Sequence, residues 1–413
     1  MSDLIVAGAG PAGCAAAIAA ARGGLDVLVI DKAACFPRDK ACGDALTPRA
    51  VAALKALGVD LPGAHFVRGL IAYGLDNHCS RFEWPATSGL PAAGYTIRRA
   101  QLDDALLQAA ITAGAHVELG QPVTGLLLEG GRTAGVTTQT GERRAPVVVD
   151  ATGASSRLGE AIGLPRLPSR PFGVAVRGYM SGEGGDDQWL HSWLALEGAD
   201  GTPLPGYGWV FPMGAGLFNV GVGQLSSSVS FRRTNYRQLL LDWVGHLGWR
   251  LTWTGKVAGA GLPMGIDRAA LYRRGLLLAG DAAGLVNPFN GEGVSYGLQS
   301  GLAAGLAAVR AGVAGFGTPD AELALQRYHL DIKAAYSHYY AAGGLFADLM
   351  GHEVALTACL RYGLPHGRVM RPVNKLMANL IAPHGGPMDD RAARMAIGLA
   401  GWAGGVRNLV KTK

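Results

Sequence analysis

At 413 residues, 49% hydrophobic and 16% charged, the chain is long enough to bury a large core in two or three domains, which excludes a disordered protein. No apolar run reaches the roughly 18 residues of a membrane span, the opening MSDLIVAGAG has no basic leader, and Cys14, Cys35, Cys42, Cys79 and Cys359 are odd in number without a CxxC pair, so a cytoplasmic protein without disulfide framework or zinc site is expected. The net charge of +6 gathers in Tyr340–Lys413, where nine Lys/Arg face four Asp/Glu; aromatic and basic residues do not interleave there, which excludes nucleic acid and leaves a solvated basic surface or an anionic lipid surface as its meaning.

Residues Asp3–Lys32 read as strand, glycine turn, helix and strand. Gly8, Gly10 and Gly13 form GxGxxG directly after DLIVA and directly before an Ala-rich helix, and Asp31 ends the second strand 18 residues beyond the last glycine. This spacing supplies a tight turn, room for a pyrophosphate against backbone and an acid for a ribose hydroxyl, so a dinucleotide is expected. The pattern does not by itself choose between FAD and NAD.

In CFPRDKACGDALTPRAVAALKALGV, Thr47 and Pro48 start a helix as N-cap and first-turn residue. The loop before it carries Arg38, Lys40, Cys42, Gly43 and Asp44, a polar and reactive set expected beside the cofactor's ring end; Cys42 as a small packed hydrophobe is the plainer alternative. Tyr95–Ala115 reads as a strand end and an amphipathic helix, with Leu102, Leu106, Leu107 and Ala110 on its apolar face. Val117–Leu128 and Thr133–Gln139 look hairpin-like, and VVVDATGASSR is a strand running from Asp150 into a polar turn with Gly153.

Leu164–Leu262 alternates apolar and polar residues and is rich in aromatics, the pattern of a curved antiparallel sheet whose Trp189, Trp193, Tyr207, Trp209 and Phe211 form an apolar wall or plain core. Leu276–Gly301 returns to a buried strand, with Asp281 at its carboxyl end to accept from ribityl hydroxyls. Pro288 stiffens the turn NPFNGEG, and Gly291 and Gly293 admit a flat ring and expose N–H groups before a helix from Val294. This distant segment favours FAD, since an NAD domain has no reason to carry it. Pro319–Val406 reads as mostly helical with breaks at Gly343-Gly344, Pro365 and Ala382–Pro387, and MRPVNKLMANLIAP as an amphipathic basic helix that caps the pocket, lies on a membrane or packs in the core.

PRDKACGDALTPRAV, YGWVFPMGAGLFNVGVG and GDAAGLVNPFNGEG, in this order, resemble the geranylgeranyl reductase family of FAD-dependent oxidoreductases, within the p-hydroxybenzoate-hydroxylase-like flavoproteins. The likeness runs from Asp3 to about Val313. It implies that Cys42 and Gly43 belong to the loop beside the flavin, that Tyr207, Trp209, Phe211 and Pro212 match the YxWxFP signature of the substrate cavity, and that Arg99, with Asp103, matches the RxxFD element whose arginine contacts FAD. It also implies reduction of isolated double bonds in isoprenoid chains. Thr152 departs from the pattern: many relatives have Asp before the glycine at 153, an aspartate associated with FAD and NADPH binding. Direct use of NADPH is therefore in question, and restoring Asp at 152 is expected to improve it.

The expected fold is α/β: a discontinuous Rossmann-type FAD-binding domain (1–163, with a substrate-domain excursion at about 66–95, and 263–318), an antiparallel-sheet substrate domain (164–262) and a helical C-terminal region (319–413). Expected cofactor contacts are Gly8, Gly10, Gly13, Asp31, Arg38, Arg99, Gly153, Asp281, Pro288, Gly291 and Gly293, with no metal. Cys42, Tyr207 and Trp209 are expected to border the reacting carbons, Tyr207 as a candidate proton donor. The expected reaction is double-bond reduction on an apolar isoprenoid substrate; the alternatives are a flavin-dependent monooxygenase acting on an aromatic or terpenoid compound, and a flavin-binding partner protein without activity. A halogenase is disfavoured by the absence of WxWxIP. NADPH or an external donor protein supplies electrons, and a peripheral membrane contact is open.

Overall fold

Strand Leu4–Ala7, buried at every residue, lies at the middle of a six-stranded sheet in the computed structural model, which describes residues 1–75, 78–86, 89–198, 201–381, 388, 390–395 and 397–399. The order is Tyr272–Arg273, Leu276–Leu278, Val147–Asp150, Leu4–Ala7, Val27–Ile30 and His116–Glu118, parallel except for the Tyr272–Arg273 edge. Parallel strands are covered on both faces, which is why LIVA, VVVD and LLL are unbroken apolar runs up to their last residue. Ala7 pairs with both Ile30 and Asp150, and Asp150 with Leu278, so strands from distant parts of the chain end level with one another. Their carboxyl ends open one crevice, lined by Gly8, Asp31, Thr152 and Gly280.

Helix Pro11–Arg22 packs against helix Val294–Val313 at very short range, and a Cβ on Gly301 would lie 2.0 Å from the Ala12 carbonyl oxygen. Only glycine allows that approach. The segment 117–128 is not one hairpin. His116–Glu118 joins the parallel sheet as its edge, while Val123–Glu129 begins a separate three-stranded sheet with Arg132–Thr138 and Gly141–Arg144.

The second large sheet runs Leu251–Trp253, Phe172–Gly182, Leu217–Leu225, Gly206–Pro212, Trp189–Trp193, Gly69–Tyr73 and Cys79–Glu83, with Ala258–Pro263 also paired to Phe172–Gly182. It is antiparallel except where Trp189–Trp193 meets Gly69–Tyr73. Alternation sorts its faces. Val210, Phe218, Val220 and Val222 face Leu239 and Leu240 of helix Tyr236–His246, an element the strand-like pattern of 164–262 did not anticipate. Trp209 and Phe211 face the opposite way, where Leu190, Phe82, Ala378 and Leu380 join them.

Helices Pro319–Met350, Glu353–Ala358 and Gly367–Met377 follow. The expected break at Gly343-Gly344 is absent, because Gly343 is there for contact: a Cβ would come within 2.3 Å of Pro288 Cγ. Helix Gly367–Met377 does begin beyond Pro365. Of the three places open to this amphipathic basic helix, Lys375 takes the core one: it is buried, its Nζ 2.8 Å from Asp390 Oδ1. Ala382–Pro387 and Val406 lie outside the described residues. Among the described residues no helix is long and apolar enough to cross a membrane.

Candidate active site

The glycine turn is held from below by Asp31. Its Oδ2 accepts from Ala9 N (2.7 Å) and its Oδ1 from Ala33 N (2.8 Å), fixing the carboxylate at the end of its strand. Gly8 has φ +103°, and Gly13 lies so near that a Cβ would meet Gly8 O at 1.8 Å; the GxGxxG spacing is a packing requirement as much as a ligand one.

Above the turn, two arginines converge. Arg99 Nε bonds Asp103 Oδ1 (2.6 Å), Arg38 Nη2 lies 3.4 Å from Asp103 Oδ2, and both guanidinium groups come within 4 Å of where a Gly10 Cβ would stand. Burial works against the charge on Arg99, but Asp103 and Cys42 together outweigh it and raise its pKa. Helix Pro11–Arg22 starts here with no side-chain cap, so its N–H groups and the two cations face the same space. That arrangement fits a pyrophosphate. The Arg99 expected on grounds of resemblance is thus a buried residue rather than a surface one, and it stands beside Arg38, Gly10 and Asp31.

The next tier ties this cradle to the aromatic sheet. Asp44, buried and at φ +62°, accepts Arg99 N on Oδ1 (3.0 Å), and Tyr179 OH (2.6 Å) and Asn219 Nδ2 (2.9 Å) on Oδ2. Asn219 also donates to Cys42 O (2.8 Å) and accepts from Trp209 Nε1 (2.9 Å). A Cβ on Gly43 would touch Phe211 and Trp209. Cys42 Sγ accepts from Asp44 N (3.3 Å), and burial pushes the thiol pKa up while Arg99 pulls it down. Lys40 Nζ reaches the crevice within 3.6 Å of a Gly153 Cβ; its pKa is lowered by burial and by Arg99, and Asp281 partly offsets this.

The turn NPFNGEG closes the arrangement. Tyr207 OH donates to Asn290 O (2.7 Å) and lies about 4.0 Å from a Gly291 Cβ. Burial, with Glu292 and Cys42 nearby, pushes that hydroxyl up to about 12, so its proton is committed to the turn. The Gly291 N–H, expected to be exposed, is spent inside the turn on Asn287 O (2.9 Å). Gly293 stands against Asp281, whose Oδ1 would be 3.2 Å from a Gly293 Cβ. Thr47 occupies the N-cap position, but its hydroxyl donates to Glu292 Oε1 (2.7 Å) and makes no cap bond.

Thr152 turns inward. Its N and Oγ1 both donate to Asp150 Oδ1 (3.1 and 2.7 Å), and Ser156 Oγ donates to Asp150 Oδ2. Burial raises the Asp150 pKa and these hydroxyls lower it. Three residues of the network carried no assigned role in the sequence, Asn219, Tyr179 and Glu292, while Asp44 was expected in the loop beside the cofactor's ring end. Glu292 stands inside a quoted motif as an acid between two glycines; Asn219 and Tyr179 had no local signal.

A dinucleotide crevice at the ends of parallel strands, facing an aromatic wall across two glycine-bearing loops, defines an FAD-dependent oxidoreductase. Residues 3–166 match the family described as FAD dependent oxidoreductase. The chain is 43% identical over 309 residues to menaquinone reductase of Mycobacterium tuberculosis, spanning 72% of this chain and 74% of that protein. It is 33% identical over 321 residues to digeranylgeranylglycerophospholipid reductase 1 of Methanopyrus kandleri, spanning 75% and 80%. A geranylgeranyl bacteriochlorophyll reductase-like protein of Thermoplasma acidophilum superimposes with a TM-score of 0.76 at 24% identity over 91% of this chain and 96% of that one. A flavin-dependent brominase gives 0.71 at 19% over 96% and 98%; both are likenesses of fold. The chain belongs to the geranylgeranyl reductase family of FAD-dependent oxidoreductases.

Proposed function

We propose that this protein reduces a carbon–carbon double bond in the isoprenoid chain of an apolar substrate, a polyprenyl quinone or a polyprenyl lipid. The observation that carries the reading is the wall of Tyr207, Trp209 and Phe211, which packs against the loops of Gly43 and Gly291 and is met by Ala378 and Leu380. Such a surface suits a long apolar chain and keeps water from the reacting bond. The relatives' names join a quinone and a geranylgeranyl lipid, and an isoprenoid chain is what those molecules share.

Bound FAD supplies hydride chemistry. Gly8, Gly10, Gly13, Asp31, Arg38, Arg99 and Gly153 hold its dinucleotide part, while Asp281, Pro288, Gly291 and Gly293 seat its ribityl and ring end. Cys42, Tyr207 and Trp209 border the reacting carbons and orient the chain. We assign residues 1–163, apart from the excursion at about 66–95 that joins the aromatic sheet, and 263–318 to the cofactor domain, 164–262 to the substrate domain, and 319–413 to a C-terminal region whose basic residues favour a peripheral contact with the membrane holding the substrate. Thr152, bonded to Asp150, offers no carboxylate toward a nicotinamide nucleotide, so electrons come from an external donor.

Chemically reduced protein, mixed without oxygen with polyprenyl quinones and geranylgeranyl lipids, should return to the oxidised yellow form and yield a product with one fewer double bond. Reoxidation only in the presence of oxygen, with an oxygenated product, would support the monooxygenase instead.

A further inference from the structure

Two arginines outside the scheme above hold the same pair of turns together. Strand Val147–Asp150 runs into the turn of Thr152, Gly153 and Ser156, and strand Leu276–Leu278 into the turn Gly280–Ala283, which carries Asp281. Arg166 Nη2 donates to Ala154 O (2.8 Å) in the first turn and to Asp281 O (3.0 Å) in the second. Arg268 repeats the bridge a step further on, donating from Nη2 to Ser156 O (3.0 Å) and from Nε to Ala282 O (3.2 Å). A buried acid stands between them: Asp267 Oδ2 accepts from Arg166 Nη1 (2.5 Å), and its Oδ1 lies 3.9 Å from Arg268 Nε. Hydrogen bonds from a charged donor are the stronger ones, and a planar guanidinium can serve both turns at once.

The place of this clamp in the chain gives it a second connection. Arg166 and Asp267 lie at the two crossings between the cofactor domain and the substrate domain assigned above. The crossings run antiparallel: Arg166 forms a bridge with Arg268, and Leu167 N donates to Asp267 O (2.7 Å). The first leads into strand Phe172–Gly182 and the second leaves Ala258–Pro263, two strands that pair in the aromatic sheet from Phe172 opposite Pro263. One ribbon thus runs from that sheet down to the crevice. At its lower end Gly284, at φ +69°, closes the Asp281 turn; a Cβ there would stand 2.2 Å from Asp267 Oδ1, so only glycine admits the acid. The Arg268 side chain is fully buried, whereas that of Arg166 is 25% exposed, so Arg166 can be exchanged without opening the core.

We propose that Arg166 is a positioning residue of the reaction: from the ribbon that continues into the substrate sheet, it sets where Asp281 stands, and with it the flavin that Asp281 seats opposite the aromatic wall. The inference rests on the assignment of Asp281 to the ribityl end of FAD. Arg166 acts through the Ala154 and Asp281 carbonyls and not on the reacting atoms. Its bond to Asp267 keeps the guanidinium in the plane that reaches both turns, and Arg268 behind it holds the same two turns from within the core.

The test is a double-mutant cycle between Arg166 and Asp281, read on the full chain reconstituted with FAD. R166K keeps a charge beside Asp267 but has one terminal nitrogen in place of two, so it should fold as the wild type does and lose the link between the turns; R166M is the second variant. Isothermal titration of the apoprotein should show FAD affinity falling about 10- to 100-fold in either. At saturating FAD, the visible absorption bands and the midpoint potential of the bound flavin should move away from the wild-type values. D281N should do the same, and R166K added to D281N should change little more. A wild-type spectrum and potential at saturating FAD in both Arg166 variants would leave Arg166 a structural role only and overturn the proposal, as would effects of R166K and D281N that simply add. None of these measurements needs turnover. A wild type that binds FAD but reduces no isoprenoid substrate overturns the reductase reading, while the cycle still decides for or against Arg166. A D281N protein that binds FAD as the wild type does overturns the Asp281 assignment and this inference with it.

Discussion

Asn219 Nδ2 lies 2.9 Å from Asp44 Oδ2, so a strand of the aromatic sheet is bonded directly to the loop that carries Cys42 and positions Arg99. The two residues are 175 positions apart in the chain. Through this bond the cavity wall and the cofactor cradle share one buried network.

Asn219→Ala should therefore affect both. Asp44 loses a donor, and Trp209 Nε1 loses its acceptor in a buried setting, where an unmet polar group costs about 1–3 kcal/mol. Urea denaturation should show a loss of this order, together with weaker FAD retention. A stability equal to wild type would mean that the network is not coupled in this way.

Arg99→Met should be more severe, since it leaves the fully buried Asp103 with Arg38 alone. Breaking a buried pair costs on the order of 3–5 kcal/mol. The variant should purify largely without FAD. Isothermal titration of the apoprotein with FAD measures the effect, and an unchanged affinity would remove Arg99 from the cradle.

Thr152→Asp should not repair nucleotide use. The hydroxyl it replaces is 2.7 Å from Asp150 Oδ1, so the new carboxylate must face a buried acid or turn away. Because the Asp150 pKa is raised in the folded state, its contribution to stability is present below the unfolded value and is lost as pH rises through the folded one. A second carboxylate raises it further, so the variant should be destabilised at neutral pH by about 1–3 kcal/mol and recover on acidification. Thermal melts across pH check this. Stopped-flow mixing with NADPH should leave the flavin oxidised on the turnover timescale in both wild type and variant; fast bleaching in either would refute the external donor.

Gly343→Ala, an exchange that normally favours a helix, should here destabilise. The added Cβ would meet Pro288 Cγ at 2.3 Å and Phe289 at 3.0 Å, a clash of the kind that costs about 1–3 kcal/mol. Since Pro288 belongs to the ring-seating turn, the flavin absorbance band should shift as well. A more stable variant with an unchanged spectrum would contradict the contact.

The glycine turn, the acid after the second strand, the buried parallel strands and the helix from Val294 were all legible in the sequence, because each depends on the backbone and on neighbours a few residues away. The YxWxFP strand was legible for the same reason. What the sequence could not decide were features whose energy comes from remote partners. Helix Pro319–Met350 continues through two glycines because packing against Pro288 outweighs a helix penalty of about 1 kcal/mol per glycine. Lys375 goes inside because Asp390 meets it there. Thr47 forgoes its cap bond because Glu292, 245 residues away, takes its hydroxyl. Periodicity reports which face of an element is apolar, but only tertiary contact decides which partner a buried polar atom finds, as Thr47 finds Glu292.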